Sequence, residues 1–170
     1  MRLLLLTGWR RSEATTLRWA EVNLARRTAR LGDTKTGASI RPLARAAAEL
    51  IGSQPRTSNP HVFPARADGK PLQGLPRMRE RIRRLGGLPD DVTLHVLRHS
   101  FASVAADLGY SDAAIAGLIG HKRAGITARY THAADAVLLK VADEVARATL
   151  AKLQGPESHE ALSAEVILPL

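Results

Sequence analysis

The stretch HVLRHSFASVAADLGYSDAAIAGLIGHKRAGITARY, from His95 to Tyr130, decides how this chain is expected to fold. Its first part predicts a helix, because apolar residues recur every three or four positions. These residues are Leu94, Leu97, Phe101, Val104 and Leu108. His95 and Arg98 stand three residues apart, so they share one face of this helix at the edge of its apolar stripe.

Two glycines divide the rest of the stretch into shorter helices. Gly109 is expected to end the first helix, and Ser111 to cap a second helix that ends at Gly120. His121 follows directly, and Tyr130 comes nine residues later. Two histidines, an arginine and a tyrosine on three consecutive short helices can converge only if these helices fold over one pocket.

Four separated blocks of sequence carry a resemblance to a known family. The first comprises HVLRH at residues 95–99, and the second is the Gly120–His121 pair with a tyrosine nine residues beyond it. The others are TGWRRSE at residues 7–13 and DTKTGASIRPL at residues 33–43. They resemble, in order along the chain, the first catalytic arginine segment, the β-hairpin with a catalytic lysine and the C-terminal signature of the tyrosine recombinase, or phage integrase, family. The match covers roughly the first 135 residues and is specific because it has several ordered parts.

The resemblance implies chemistry on a phosphodiester. This bond is a poor electrophile because its negative charge repels nucleophiles. Arg10 and Arg98 would offset that charge, since guanidinium forks stay charged and bind phosphate through two hydrogen bonds. His121 would donate a further hydrogen bond to the charge that develops in the transition state.

Tyr130 is implied as the nucleophile. A free tyrosine has a pKa of about 10, so His95 and the neighbouring cations would help it lose its proton. Lys35, on the hairpin, would protonate the departing 5′ oxygen. The product would be a 3′-phosphotyrosyl link, from which a second strand can be joined without ATP. Tyr110, the other tyrosine in the chain, follows Gly109 at a helix junction, where packing or capping is the simpler interpretation.

Two more residues would support the site. Glu13 would hold Arg10, because a carboxylate pairs well with a planar guanidinium. His99 would pack or hydrogen-bond beneath the site. Taken alone, Arg10 and Arg11 are better explained as a solvated basic pair, and Lys35 as an ordinary lysine of a turn.

A metal site is not expected. His95 and His99 have a zinc-binding spacing, but Val96 stands where a metalloprotease motif has its glutamate. No carboxylate cluster suited to Mg²⁺ accompanies the basic residues. The chain has no Cys, which excludes disulfides, thiolate catalysis and cysteine-based zinc sites. We therefore expect no cofactor.

The element pattern predicts an α+β fold, mainly α, in which a helical catalytic domain carries a small three-stranded antiparallel sheet on one side. Strands are predicted at residues 22–24, 28–31 and 39–43, and a loop at residues 52–75, where Pro and Gly recur. Helices are predicted over residues 1–7, from Ser12 toward Val22, over residues 44–51 and 76–85, and from Asp135 to about Leu153. The helix at residues 76–85 has an apolar stripe of Met78, Ile82 and Leu85.

The domain organisation is expected to be one catalytic domain at residues 1–153 and a C-terminal tail at residues 154–170. Members of this family usually carry a core-binding domain and further catalytic-domain helices ahead of the segment where this sequence starts. An N-terminally truncated domain is therefore expected, through a gene fragment, a misassigned start or a genuine loss.

Charge indicates an anionic partner. The chain has 25 Lys and Arg against 16 Asp and Glu, a net charge of +9 and a sequence pI near 11.0. We expect the partner to be double-stranded DNA, since an aromatic content of 4 % argues against base stacking on single strands. The candidate DNA-binding residues are Arg11, Arg77, Arg79, Arg81, Arg83, Arg84, Lys122 and Arg123.

The expected function is site-specific DNA recombination, including DNA integration. The alternatives are strand cleavage of the type IB topoisomerase kind, or a truncated DNA-binding remnant without recombination activity. Self-association is expected, as a tetramer on recombining sites through the C-terminal helix and tail. The apolar run at residues 3–6 is too short for a signal peptide or a membrane span, so a cytoplasmic protein acting at DNA is expected.

Overall fold

The computed structural model describes residues 1–32, 38–66, 69–120 and 133–154. The helices in these ranges are α1 (Arg2–Thr7), α2 (Arg11–Thr15), α3 (Arg45–Gly52), α4 (Leu75–Leu85), α5 (Leu94–Asp107), α6 (Asp112–Ile119) and α7 (Ala133–Gln154). The strands are β1 (Val22–Asn23), β2 (Thr28–Leu31) and β3 (Ser39–Pro42). The predicted fold class, mainly helical with one small antiparallel sheet, is confirmed.

The sheet lies at one side of the helical body. Its strands are antiparallel in the order β1-β2-β3, with Ala29 opposite both Val22 and Arg41. Along β3 the side chains alternate, so that Ile40 is exposed while Arg41 is buried. The inner face of β3 packs against α6 and α7. A charged side chain therefore points from the sheet into the protein.

The core is built where α1, α5 and α7 pack together. Leu6, Trp9, Phe101 and Val145 are fully buried there. The long α7 contributes one apolar face, as its spacing predicts. On its other side Asp143 accepts two hydrogen bonds from Arg27, at 2.7 and 2.8 Å, and one from the backbone N–H at the start of α3. This carboxylate fastens α7 to the sheet turn and to the positive end of α3.

The joint between α1 and α2 differs from the prediction. Gly8 ends α1 in the left-handed conformation, as expected, but Ser12 does not cap α2. Arg10 occupies the N-cap, and the Glu13 carboxylate accepts the Arg10 backbone N–H at 2.8 Å. The helix ends at Thr15, and Trp19 begins a separate 3-10 turn. A glutamate at the third helical position satisfies an N-terminal N–H, so the serine is not required.

Two apolar predictions are wrong. Met78, Ile82 and Leu85 are exposed, and Leu75 is the buried residue of α4. Leu108 is exposed as well, since α5 ends before it at Asp107. The period of the stripe was correct, but α4 is anchored at its first turn and its remaining length projects away from the core.

No helix in the described ranges has both the length and the apolar character needed to cross a membrane.

Gly8→Ala should destabilise the fold strongly. A Cβ at Gly8 would lie 2.6 Å from Phe101 Cδ1 and 2.9 Å from Ile119 Cγ2, and the φ of Gly8 is +61°. Gly87 is a matched control, because its φ is +59° and the space beside it is open. Both variants carry the left-handed strain of about 1–2 kcal/mol. Gly8→Ala should lose about 1–3 kcal/mol more, through overpacking, in urea unfolding. Equal losses would contradict this packing.

Candidate active site

Among the predicted site residues that the structure describes, Arg98 is one of the most deeply buried. It is 4 % exposed, and its Nη1 donates a 2.7 Å hydrogen bond to the carbonyl of Gly8. The helix that carries it begins at Leu94 and is capped by Thr93, whose hydroxyl accepts the Val96 N–H. The second terminal nitrogen, Nη2, is buried and has no hydrogen-bond partner in the described part of the chain. Arg98 therefore joins α5 to the α1–α2 joint and retains an unused donor.

Arg10 lies at that joint and is held by Glu13. The Arg10 Nη1 donates to Glu13 Oε1 at 2.9 Å, while the backbone N–H of Arg10 donates to Oε2. The Glu13 side chain is 2 % exposed, and that of Arg10 is 25 % exposed. The carboxylate thus fixes one side of the guanidinium, and the rest of it remains open to solvent.

Arg41 is a third arginine of this cluster, and it was missed by the sequence analysis. It is fully buried, and its Nη2 donates to the same Glu13 Oε1 at 3.3 Å. Its Nε donates to Ser39 Oγ at 2.9 Å. A signal was present in the sequence, because Arg41 shares the strand face of Leu43, two residues on, and Leu43 is buried.

His95 and His99 lie on the exposed side of α5. Their rings meet edge to face, with centroids 4.5 Å apart. His99 was expected beneath the site, and this expectation is wrong because the side chain is exposed. The inward positions of α5 are Arg98 and Phe101, and a residue one position after Arg98 is turned about 100° away from it.

One cleft of about 460 Å³ collects most of these groups. Arg10 and Arg11 line it from the α1–α2 joint, Arg79 from α4, and His95 and Arg98 from α5. The structure therefore brings together three of the predicted catalytic residues with two of the predicted DNA-binding arginines.

The electrostatics of this cleft are strongly cationic. Burial, together with the nearby charge of Arg10, lowers the pKa of Arg98 to about 10, while Glu13 opposes the shift. Burial also lowers the pKa of Arg41, with Glu13 again opposing. Three guanidinium groups lie near one carboxylate, which forms hydrogen bonds with two of them. A tetrahedral oxyanion in the cleft would supply the missing negative charge and accept hydrogen bonds from two guanidinium forks.

The remaining predicted residues of the site lie outside the described ranges. These are Lys35, His121, Lys122, Arg123 and Tyr130. Lys35 belongs to the segment that joins β2 to β3, and His121 directly follows Gly120, which ends α6 with a φ of +69°.

Tyr110 is engaged elsewhere in the fold. Its hydroxyl donates a hydrogen bond to the Glu144 carboxylate on α7, and its ring packs against the core. This hydrogen bond, together with desolvation and the charge of Glu144, raises the pKa of Tyr110 above its ordinary value. A tyrosine with a raised pKa is a poorer source of phenolate.

The arginines of α4 divide into two groups. Arg83 and Arg84 both donate to Glu80 at 2.9 Å, and Arg83 also pairs with Asp90 at 2.6 Å. These hydrogen bonds lower the pKa of Glu80 to about 2, so the carboxylate stays charged near neutral pH. Arg77 and Arg81 make no hydrogen bond or ion pair with any residue the structure describes, so their charges are available to a partner.

Among the residues with described positions, no group of three or more His, Asp or Glu side chains could hold a metal ion.

Comparison with known proteins identifies the family. A model of the phage integrase family matches residues 1–136. The Shufflon-specific DNA recombinase of Escherichia coli is 33 % identical over 133 residues, which cover 76 % of this chain and 33 % of that protein. Tyrosine recombinase XerC of Rhizobium meliloti is 33 % identical over 154 residues, covering 84 % of this chain and 47 % of XerC. The chain thus spans a third to about half of these relatives.

Solved structures agree on the fold. The integrase from mycobacterium phage Brujita superposes with a TM-score of 0.67 at 20 % identity, over 85 % of this chain and 50 % of that one. The Tn1549 transposon integrase, solved in complex with circular intermediate DNA, gives a TM-score of 0.57 at 22 % identity, over 72 % and 49 % of the two chains. With the family match extending over residues 1–136, this chain belongs to the phage integrase family of tyrosine recombinases.

Proposed function

We propose that this chain is the catalytic domain of a site-specific DNA recombinase that cleaves and rejoins duplex DNA through a 3′-phosphotyrosyl intermediate. The observation that carries the proposal is the cationic cleft, where a buried donor nitrogen of Arg98 has no partner among the described residues and lies beside the partly exposed Arg10. Buried donors normally have partners, so an unused donor on a residue that lines the cleft favours an anionic ligand. In duplex DNA that ligand is the scissile phosphate.

In this mechanism Arg10 and Arg98 bind the non-bridging oxygens of the phosphate. Tyr130 Oη attacks phosphorus while its proton passes to His95, and the P–O5′ bond breaks. Lys35 supplies a proton to the departing O5′, and His121 donates to a non-bridging oxygen. The phosphotyrosyl bond keeps the energy of the phosphodiester bond that was broken. A 5′-hydroxyl from a second strand can therefore attack it and reverse the step. These roles follow from the family motifs at the matching positions.

The surroundings of the cleft support binding to duplex DNA. Arg11 and Arg79 line the cleft, and Arg77 and Arg81 extend its positive charge along α4. Basic side chains along a helix contact phosphates without reading sequence. The relatives are recombinases and integrases by name, which favours recombination over the topoisomerase alternative. Resolution of a Holliday junction by the purified protein would separate these two activities.

Assembly and location are part of the same proposal. We infer that copies of the chain associate on recombining sites, as a tetramer, through α7 and the tail beyond it. The outward Val137 and Leu153 on α7, both exposed apolar side chains, support a contact along this helix. A DNA recombinase of this kind would act in the cytoplasm, at the nucleoid.

Tyr130→Phe should abolish covalent capture of DNA. A nicked suicide substrate traps the intermediate, and the adduct is detected as slow-migrating labelled DNA on a denaturing gel. The substitution removes the attacking oxygen and keeps the ring, so the fold should survive. Tyr110→Phe is the matched control, since its hydroxyl is bound to Glu144, and it should still form the adduct. A label that maps to Tyr110 would refute the assigned nucleophile.

DNA affinity should decline as the pH rises through about 10, because the buried Arg98 then loses its charge. The measurement is fluorescence anisotropy with the non-cleaving Tyr130→Phe chain. The fold is not weakened by this deprotonation. The pKa of Arg98 is lowered in the folded state, so the stability contribution of this group rises above that pH. Arg98→Gln is the control and should lack this step in affinity. A decline of the same size in the control would assign the effect to other groups.

The two groups of α4 arginines should differ in their salt dependence. Arg81→Gln should reduce the slope of log K against log salt by about 0.9, the value for one lost phosphate contact. Arg83→Gln removes the same charge from the same helix, but Arg83 is bound to Glu80 and Asp90. It should leave the slope almost unchanged. A larger effect from Arg83 would show that α4 does not meet DNA in this arrangement.

A further inference from the structure

The buried Arg41 is the charged side chain that the proposed reaction does not use. Its side chain is 1 % exposed, and it extends from β3 into the space between α2 and the end of α6. Its donors reach Ser39 Oγ and Glu13 Oε1, and its Nη1 has no hydrogen-bond partner among the residues with described positions. A methionine or leucine at this position would pack without the cost of burying a charge. The presence of a guanidinium here therefore points to a task other than stability.

The first contact of Arg41 acts on Arg10. Glu13 Oε1 accepts from Arg10 at 2.9 Å and from Arg41 at 3.3 Å, so one oxygen is shared by two cations. Arg41 fixes the carboxylate from its inner side. Because its charge is divided, Glu13 neutralises Arg10 incompletely, and Arg10 keeps positive charge toward the cleft.

The second contact of Arg41 acts on the end of α6. A Cβ at Gly120 would lie 1.7 Å from the Cζ of Arg41, so the guanidinium occupies the space that a side chain would need. Gly120 also has a φ of +69°. The next residue in the chain is His121. The position of the Arg41 guanidinium and the backbone conformation of Gly120 at the end of α6 are thus coupled by direct contact.

We propose that Arg41 is a positioning residue, which holds Glu13 and Arg10 on one side and the Gly120 backbone ahead of His121 on the other. One guanidinium from β3 then sets the spacing between Arg10 and the end of α6. This role rests on the proposed strand cleavage, because it concerns the geometry of that reaction. Arg41 itself does not line the cleft and is not expected to touch DNA.

The test separates the rate of cleavage from DNA affinity. Arg41→Met should fold with an unchanged or higher Tm, because it replaces a buried charge by an apolar chain of similar length. Single-turnover cleavage of a suicide substrate at saturating DNA should slow on the order of 10- to 100-fold, the scale for misplaced catalytic groups. The Kd for DNA should stay within about twofold, because the phosphate contacts outside the site remain. Arg41→Lys should restore part of the rate, since an ammonium can pair with Glu13 but lacks the fork.

A control accounts for stability. Ile51→Val, in the fully buried part of α3, should lower Tm and leave cleavage by the folded chain unchanged. Arg41→Met cleaving at the unmodified rate, or slowing no more than Ile51→Val does, would overturn the proposal. If Arg41→Met does not fold, Arg41→Lys decides: slow cleavage at unchanged DNA affinity supports the role, and the unmodified rate refutes it.

A second measurement does not depend on catalysis. Gly120→Ala should destabilise the unmodified chain more than it destabilises Arg41→Ala, in which the overlapping guanidinium is absent. Equal losses in the two backgrounds would refute the contact. If the unmodified chain forms no adduct, the proposed function fails. The comparison of Gly120→Ala in the two backgrounds still tests whether Arg41 fixes the end of α6.

Discussion

The close approach of α5 to Gly8 is the constraint on which the site depends. Gly8 has no side chain, so Phe101 packs directly against its backbone. One turn earlier on the same helix, Arg98 donates to the Gly8 carbonyl at 2.7 Å. Two residues after Gly8 the chain reaches Arg10. The glycine thus lets one helix bring its arginine beside the arginine of another, and a Cβ there would separate the two.

The charge balance of the arginine cluster explains why the burial of its guanidinium groups is tolerated and which kind of ligand the cluster favours. Burying guanidinium groups costs free energy, and one carboxylate shared by Arg10 and Arg41 offsets only part of that cost. The lowered pKa of Arg98 reflects the same imbalance. Sites that violate the rule of paired buried charges are commonly functional, because the missing partner is the ligand. A phosphate would complete the set of charges here.

The surface of α4 shows that the number of basic residues on a helix differs from the number of charges available to a partner. Five of its eleven residues are arginine, yet Arg83 and Arg84 are bound to Glu80. Arg81, in contrast, is exposed and has no ion-pair partner within the part of the chain that the structure describes. The exposed stripe of Met78, Ile82 and Leu85 has a related cause, because a helix anchored at Leu75 presents its length to solvent. Whether a periodic pattern becomes core depends on what lies beside it.

Sequence alone determined the family and the fold class, and it predicted Arg10, Glu13, His95 and Arg98 as site residues, because these inferences depend on local spacing and ordered motifs. Periodicity and capping chemistry act between residues a few positions apart, so they can be recognised in a single sequence. The tertiary structure decided which polar groups are buried. Arg41 is 28 residues from Glu13 and 79 from Gly120, and no local rule connects them. Their contact exists because the sheet packs against the end of α6, and burial of that kind is set only when the elements assemble.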